Sequence, residues 1–210
     1  MFKYILFGAT GFVCGSVMFS YWLPRLLQGI DITACSPDHN PGVYNVFRYA
    51  GRTMGILCLL LDLAKGAVPV WIAVQFVSYD NPLFSGVLLA PVLGHAITLF
   101  GKKGGKSIAT SFGVLLGAVP HTFAVLVLAV WYLFFSAIYK IKSHRRRSIC
   151  SYGAFTLTML ACLPFTGDYT ALIGSAAISA LVIYKHLLPG KKRRAVEAGT
   201  AEPEDQASRL

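Results

Sequence analysis

The chain has 210 residues and a formal net charge of +10, with 55% hydrophobic and only 13% charged residues, against about 25% charged in a soluble domain. Its mean hydropathy of +0.60 leaves too many apolar residues for one soluble core and its surface, and the composition excludes a disordered, collagen-like or disulfide-stapled chain. An integral membrane protein remains, with room for about six to eight helical crossings of roughly 20 residues each.

The first apolar run covers about Tyr4 to Leu23 and ends at Pro24 and Arg25. It is long enough to span, and the bulky Phe12 and Val13 do not fit the small-residue pattern of a cleaved leader, so it counts as the first helix. A polar loop follows from Arg25 to Gly51, where Pro37, Pro41 and the glycines preclude one continuous helix. The second span runs from Met54 to Phe76, the breakers SYDNP turn the chain, and the third span covers Leu83 to Phe100. A compact basic loop, GKKGGK, occupies Gly101 to Lys106. The stretch from Ser107 to Tyr139 is too long for one crossing, and Ala118, Val119, Pro120 and His121 divide it into spans four and five. KIKSHRRR closes the fifth, the sixth covers Ile149 to Leu163, and PFTGDY leads to the seventh, Thr170 to Leu188. The expected architecture is an all-α polytopic bundle of about seven transmembrane helices. It forms one domain over residues 1–190, with a polar, mobile tail over 191–210.

Placing the N-terminus outside puts every Lys and Arg except Lys3 and Lys65 in the cytoplasm or at its boundary, while the outer turns carry Asp80 and Asp168. That bias follows the positive-inside rule, so the net charge reports topology rather than nucleic-acid binding. The five cysteines form no metal pattern and act as small packing residues.

Chemistry must come from polar groups that the bilayer would otherwise exclude. Asp62 and Lys65 stand three residues apart on one face of span two. They are expected either to pair with each other, to support a cytoplasmic cavity, or to relay ions in a transporter. GKKGGK serves as a positive-inside anchor or as an anion site, since glycines let backbone amides approach a phosphate and Lys106 supplies a compact charge next to a helix N-terminus. The first loop gathers Asp31, Ser36, Asp38, His39, Asn40, Asn45, Arg48 and Arg52, either as a solvated loop or as a site in which Arg48 grips phosphate. His95, close to GKKGGK along the chain, is a packing residue or a group that binds phosphate or moves a proton. His121 and His144 offer less.

Two stretches carry a resemblance. GIDI…NPGVYNVFRYAGRTMGILCLLLDLAKGAVPV, from Gly29 to Val70, and GHAITLFGKKGGKSIATSFGVLLG, from Gly94 to Gly117, resemble the first and second motif regions of the acyl-phosphate:glycerol-3-phosphate acyltransferases of PlsY type. Gly15 and Ser16 match a glycine–serine pair in that family's first helix. The resemblance implies a seven-span enzyme of the bacterial inner membrane with a cytoplasmic active site. Such an enzyme transfers an acyl chain from acyl-phosphate to the sn-1 hydroxyl of glycerol 3-phosphate, yielding lysophosphatidic acid without a metal or cofactor. It implies His95, Lys106 and Arg48 as catalytic candidates. Ser36, Asn40, Gly42, Asn45, Gly104, Gly105 and Ser107 become substrate-binding candidates, with Asp62 and Lys65 in support.

The chain departs from the family pattern. Two extra residues separate Ser36 from Asn40, Thr33 stands in place of an arginine, and Ser107 replaces a glycine. The third, C-terminal motif is not recognisable in YKHLLPGKKRR, which offers His186 and basic residues. The chain is therefore expected to be a divergent member. The alternatives are a small transporter using Asp62, Lys65 and His95, and a non-catalytic relative of the enzyme.

Overall fold

A computed structural model describes residues 1–100 and 103–188. Gly101, Lys102 and the predicted polar tail from residue 191 lie outside the described residues. The described chain is all helical: α1 (Phe2–Ser16), α2 (Phe19–Gln28), α3 (Ile32–Cys35), α4 (Val43–Tyr49), α5 (Arg52–Phe76), α6 (Phe84–Ile97), α7 (Ile108–Gly117), α8 (Ala124–Leu133), α9 (His144–Thr166) and α10 (Tyr169–Leu187). A single π-helical turn, Phe134–Ile138, extends α8.

Four stretches are long and apolar enough to cross a bilayer: Phe2–Gln28, Arg52–Phe76, His144–Thr166 and Tyr169–Leu187. Three shorter apolar helices stand where spans three, four and five are expected: Phe84–Ile97, Ile108–Gly117 and Ala124–Ile138. Their outward faces are apolar, as with Leu60, Val68, Trp71 and Phe76 on α5 and Phe165 on α9. Water would penalise such surfaces and lipid does not.

The bundle is held by close helix crossings and two buried clusters, the smaller one made of Ile32, Val46, Ala50, Met54 and Cys58. A side chain on Gly94 of α6 would meet the Phe12 carbonyl of α1, and one on Gly113 of α7 would meet the Leu63 carbonyl of α5. Helix packing in lipid depends on such close approach. Phe84, Leu88, Leu115, Leu128, Tyr152, Phe155 and Ile178 fill the space between α6, α7, α8, α9 and α10. At one end Tyr79 donates to Asp168 Oδ2 at 3.1 Å, while Asp168 Oδ1 caps α10 through Ala171 N at 2.8 Å.

Three expectations are corrected. The first span is not one helix: it breaks at Val17, whose backbone is extended. The carbonyls freed there are satisfied within the protein, Ser16 O by the Thr98 hydroxyl at 2.6 Å and Val17 O by Lys65 Nζ at 2.5 Å. Irregular backbone survives in a membrane only where protein supplies such partners. The loop from Arg25 to Gly51 contains helices α3 and α4. The basic run around Arg145–Arg147 is the first turn of α9 rather than a loop closing the fifth span, because Ser143 caps it through Arg146 N at 3.4 Å.

Candidate active site

The first loop is shaped by its own polar residues. Asp31 caps α3, accepting from Thr33 N at 3.0 Å, Ala34 N at 3.3 Å and the Thr33 hydroxyl at 2.6 Å. The Thr33 hydroxyl is the main reason that this carboxyl lies below its ordinary range. Asp31 is therefore a structural cap. Asp38 heads a tighter arrangement. Its Oδ1 accepts from Asn45 Nδ2 at 2.9 Å and from Asn40 N at 3.3 Å, while Asn45 Nδ2 also reaches Asn40 O at 2.8 Å. Asn45 thus holds the turn that presents Asn40.

The second loop meets the first through charge. Lys106 Nζ lies 2.7 Å from Asp38 Oδ2, and Lys103 Nζ donates to Asp38 O at 3.0 Å. Burial pushes the Asp38 carboxyl up, but its hydrogen bond to Lys106, the Lys106 charge and the Asn45 amide outweigh burial and hold it below the carboxylate range. Glycine is needed at two points of this loop. A side chain on Gly104 would run into the Ala96 carbonyl, and one on Gly105 would overlap the His95 imidazole. Gly105 N donates to His95 O at 3.0 Å. His95 is buried, and its Nδ1 has no hydrogen-bond partner among the described residues. Ser107, where the family pattern has glycine, adopts a left-handed backbone at φ +61 and begins α7. Its hydroxyl is committed to Val92 O at 3.0 Å, so it serves the fold rather than offering its proton to a ligand.

These loops close over a cavity of about 470 Å³. Its lining is mostly apolar, with Leu59, Leu63, Ile108 and Phe112, and it also includes the polar Asn40, His95, Lys106 and Ser107. The site therefore suits a ligand with an ionic head and an apolar chain. Of the residues expected at the site, Asn40, Gly42, Asp62, His95, Lys106 and Ser107 line it. Asn45, Gly104 and Gly105 stand behind it. Arg48 does not line it: its guanidinium is exposed and lies 5.6 Å from the centre of the Tyr49 ring. Ser36 is buried, with a hydroxyl that has no partner among the described residues.

Beneath the cavity, Asp62 and Lys65 pair with each other at 2.9 Å, and Ser20 donates to Asp62 Oδ2 at 2.9 Å. Asp62 is thus both an ion-pair partner and part of the cavity wall.

Sequence reasoning passed over His144, Arg147, Tyr132 and Tyr44, which complete the wall. The signal was present in the spacing: His144 and Arg147 are three residues apart, on one face of the first turn of α9. Arg147 Nη2 donates to His144 Nδ1 at 3.2 Å, and the His144 ring stacks on Tyr44 with centroids 4.9 Å apart. His186, the one histidine of the expected C-terminal motif, lies 5.9 Å from His144.

The sequence profile of the family described as "Glycerol-3-phosphate acyltransferase" matches residues 5–192. A glycerol-3-phosphate acyltransferase of Myxococcus xanthus is 36% identical over 177 residues, covering 84% of this chain and 88% of the relative. One from Desulfovibrio desulfuricans is 37% identical over 186 residues, covering 87% and 78%. Among solved structures, the glycerol 3-phosphate form of PlsY (YgiH), an integral membrane glycerol 3-phosphate acyltransferase, superposes with a TM-score of 0.73 at 27% identity. That match covers 97% of this chain and 96% of that one. The lysophosphatidic acid form gives 0.69 at 29% identity. With two glycine- and asparagine-shaped loops at a mostly apolar cavity in a membrane bundle, and with a profile match over residues 5–192, the chain belongs to the glycerol-3-phosphate acyltransferase family.

Proposed function

We propose that this protein is a membrane acyltransferase of phospholipid synthesis that moves a fatty acyl group from acyl-phosphate to the sn-1 hydroxyl of glycerol 3-phosphate, giving lysophosphatidic acid and inorganic phosphate. The observation that carries this reading is a mostly apolar cavity that also holds Asn40, His95 and Lys106. Those polar groups suit a phosphate, and Leu59, Leu63, Ile108 and Phe112 suit an acyl chain. The charge bias supports seven spans with the N-terminus outside and the site facing the cytoplasm of a bacterial inner membrane.

The anhydride is already activated, so the protein's task is to position and to stabilise charge. Lys106 leaves Asp38 for a substrate phosphate, because a half-exposed ion pair is a weak competitor for a dianion. Arg48 shares a face of α4 with Tyr44, which lines the cavity, and turns from Tyr49 to a phosphate when substrate enters. Asn40 orients the head groups, while Gly104 and Gly105 let the loop close on Ala96 and His95 so that Lys106 reaches those head groups. The acceptor hydroxyl attacks the acyl carbon, the bond to phosphate oxygen breaks, and phosphate leaves with the electron pair. The hydroxyl proton passes to His95 or to a phosphate oxygen. Asp62 and Lys65 support the wall. The transporter alternative needs that pair open to a moving ion, and it is closed on itself.

The test is turnover by the purified protein in lipid, with labelled glycerol 3-phosphate and, in parallel, palmitoyl-phosphate, palmitoyl-CoA and palmitoyl-acyl carrier protein. Lysophosphatidic acid formed from palmitoyl-phosphate alone is expected. Product with another donor corrects the donor, and no product with any of the three overturns the enzymatic reading in favour of a non-catalytic relative. His95→Gln separates the two proton routes: a large fall in turnover with loss of the rise on the acid limb of the rate profile assigns the proton to His95.

A further inference from the structure

The cavity contains a guanidinium without a countercharge. Arg147 lies against two groups, and neither is an anion. Its Nη2 donates to the imidazole Nδ1 of His144 at 3.2 Å, and its Cζ stands 5.8 Å from the centre of the Tyr132 ring. Its Nε is buried with no hydrogen-bond partner among the described residues, and no described carboxylate reaches ion-pair distance. Lys106, on the same cavity, does have a carboxylate in Asp38. A cation in a low-dielectric pocket with neutral neighbours is costly until an anion arrives.

The surroundings fix both the position and the kind of anion. His144 holds the guanidinium and is itself stacked on Tyr44 at an interplanar angle of 9°, which ties the start of α9 to α4. Tyr132 meets Phe112 edge-on at 5.9 Å, and Phe112 belongs to the apolar lining. Arg147 therefore sits between Tyr132, which packs on the apolar Phe112, and the polar His144. An acyl chain lying along Phe112, Leu59 and Leu63 presents its head group at that point.

We infer that Arg147 binds the phosphate of the acyl donor and that His144 is its positioning residue. The inference rests on the acyl-phosphate reading above. The planar fork of Arg147 engages two phosphate oxygens and stabilises the charge that builds on them as the acyl–oxygen bond breaks and phosphate departs with the electron pair. The glycine–lysine loop is then left to the acceptor, glycerol 3-phosphate.

The experiment measures initial rates of the full-length protein in lipid, varying palmitoyl-phosphate and glycerol 3-phosphate separately. Inorganic phosphate is added as an inhibitor against each. For Arg147→Ala the expected result is a rise of about ten- to a hundredfold in KM for palmitoyl-phosphate, the scale of a lost charge-assisted hydrogen bond. Inhibition by inorganic phosphate against the donor weakens in parallel, and KM for glycerol 3-phosphate stays within about twofold. Arg147→Lys retains the charge and falls between; it carries the test if the alanine variant fails to fold. His144→Gln raises the donor KM less than Arg147→Ala does. Arg146→Ala, exposed on the same turn and away from the cavity lining, behaves as wild type. A rise confined to the KM of glycerol 3-phosphate, an equal rise in both, or no rise in either overturns the inference while wild-type turnover stands. Absence of wild-type turnover with palmitoyl-phosphate is a separate result that removes the function reading and this inference with it.

Discussion

Two aspartate–lysine pairs stand close together in this protein, and burial gives them opposite uses. Asp62 and Lys65 have side chains only 1% and 3% exposed. The ammonium meets Asp62 Oδ1 as an ion pair off the axis of a hydrogen bond and donates to the Val17 carbonyl, while Ser20 satisfies the other carboxylate oxygen. Asp38 and Lys106 are 38% and 24% exposed and join two loops rather than two turns of one helix. The sealed pair cannot part without stranding a charge. The open pair is worth little to the fold, so its lysine is available to a phosphate. The same two residue types thus make architecture in one place and, in the proposed function, a phosphate site in the other.

Breaking the sealed pair should have the largest effect. Lys65→Met strands Asp62 and unfastens the helix break at Val17, costing about 3 kcal/mol. This appears as a large drop in Tm in detergent, and Asp62→Leu combined with Lys65→Met should recover most of it. An unchanged Tm for the single variant would mean the pair holds nothing. Next in size is Lys106→Ala, which should lower kcat/KM by about two powers of ten while leaving Tm close to wild type. Arg48→Ala should fall in the same range on activity if the side chain reaches a phosphate. Gly105→Ala sharpens the same distinction: the added methyl overlaps His95, and activity should fall by about tenfold or more as the imidazole shifts.

The smallest effect is the most diagnostic. Asp38→Asn removes the competing charge but keeps the acceptor for Asn45, so KM for the phosphate substrate displacing Asp38 from Lys106 should fall by a fewfold. Because the Asp38 carboxyl is held below 3.8, the ion pair is complete above that value and lost only as pH falls through the lowered one. The gain should therefore be equal at about pH 6 and about pH 8. A KM that rises instead would show that Asp38 aims Lys106 rather than competing with substrate.

Much of this was legible in the chain. The apolar runs located the long helices of residues 52–76, 144–166 and 169–187, because a bilayer demands long uninterrupted stretches and little else. The glycines of the second loop were legible as points of close approach too, since backbone pressed against Ala96 and His95 restricts residue type. The break at Val17 was not, because nothing local requires it: the partners that release the carbonyls, Thr98 and Lys65, lie 82 and 48 residues away. The closing of the Asp62–Lys65 pair was one of several outcomes that an i,i+3 spacing permits, and burial selected it.

The sequence by itself determined a helical membrane protein of this acyltransferase family and pointed to two loops as the candidate site, since hydropathy and motif are properties of consecutive residues. Only the tertiary structure decided which cations face the cavity. It set Arg48 out in the open against Tyr49 and brought Arg147 and His144 in from a run that local pattern describes as surface charge. The physical reason is that a guanidinium's role depends on the dielectric and the partners around it, and those come from helices distant along the chain.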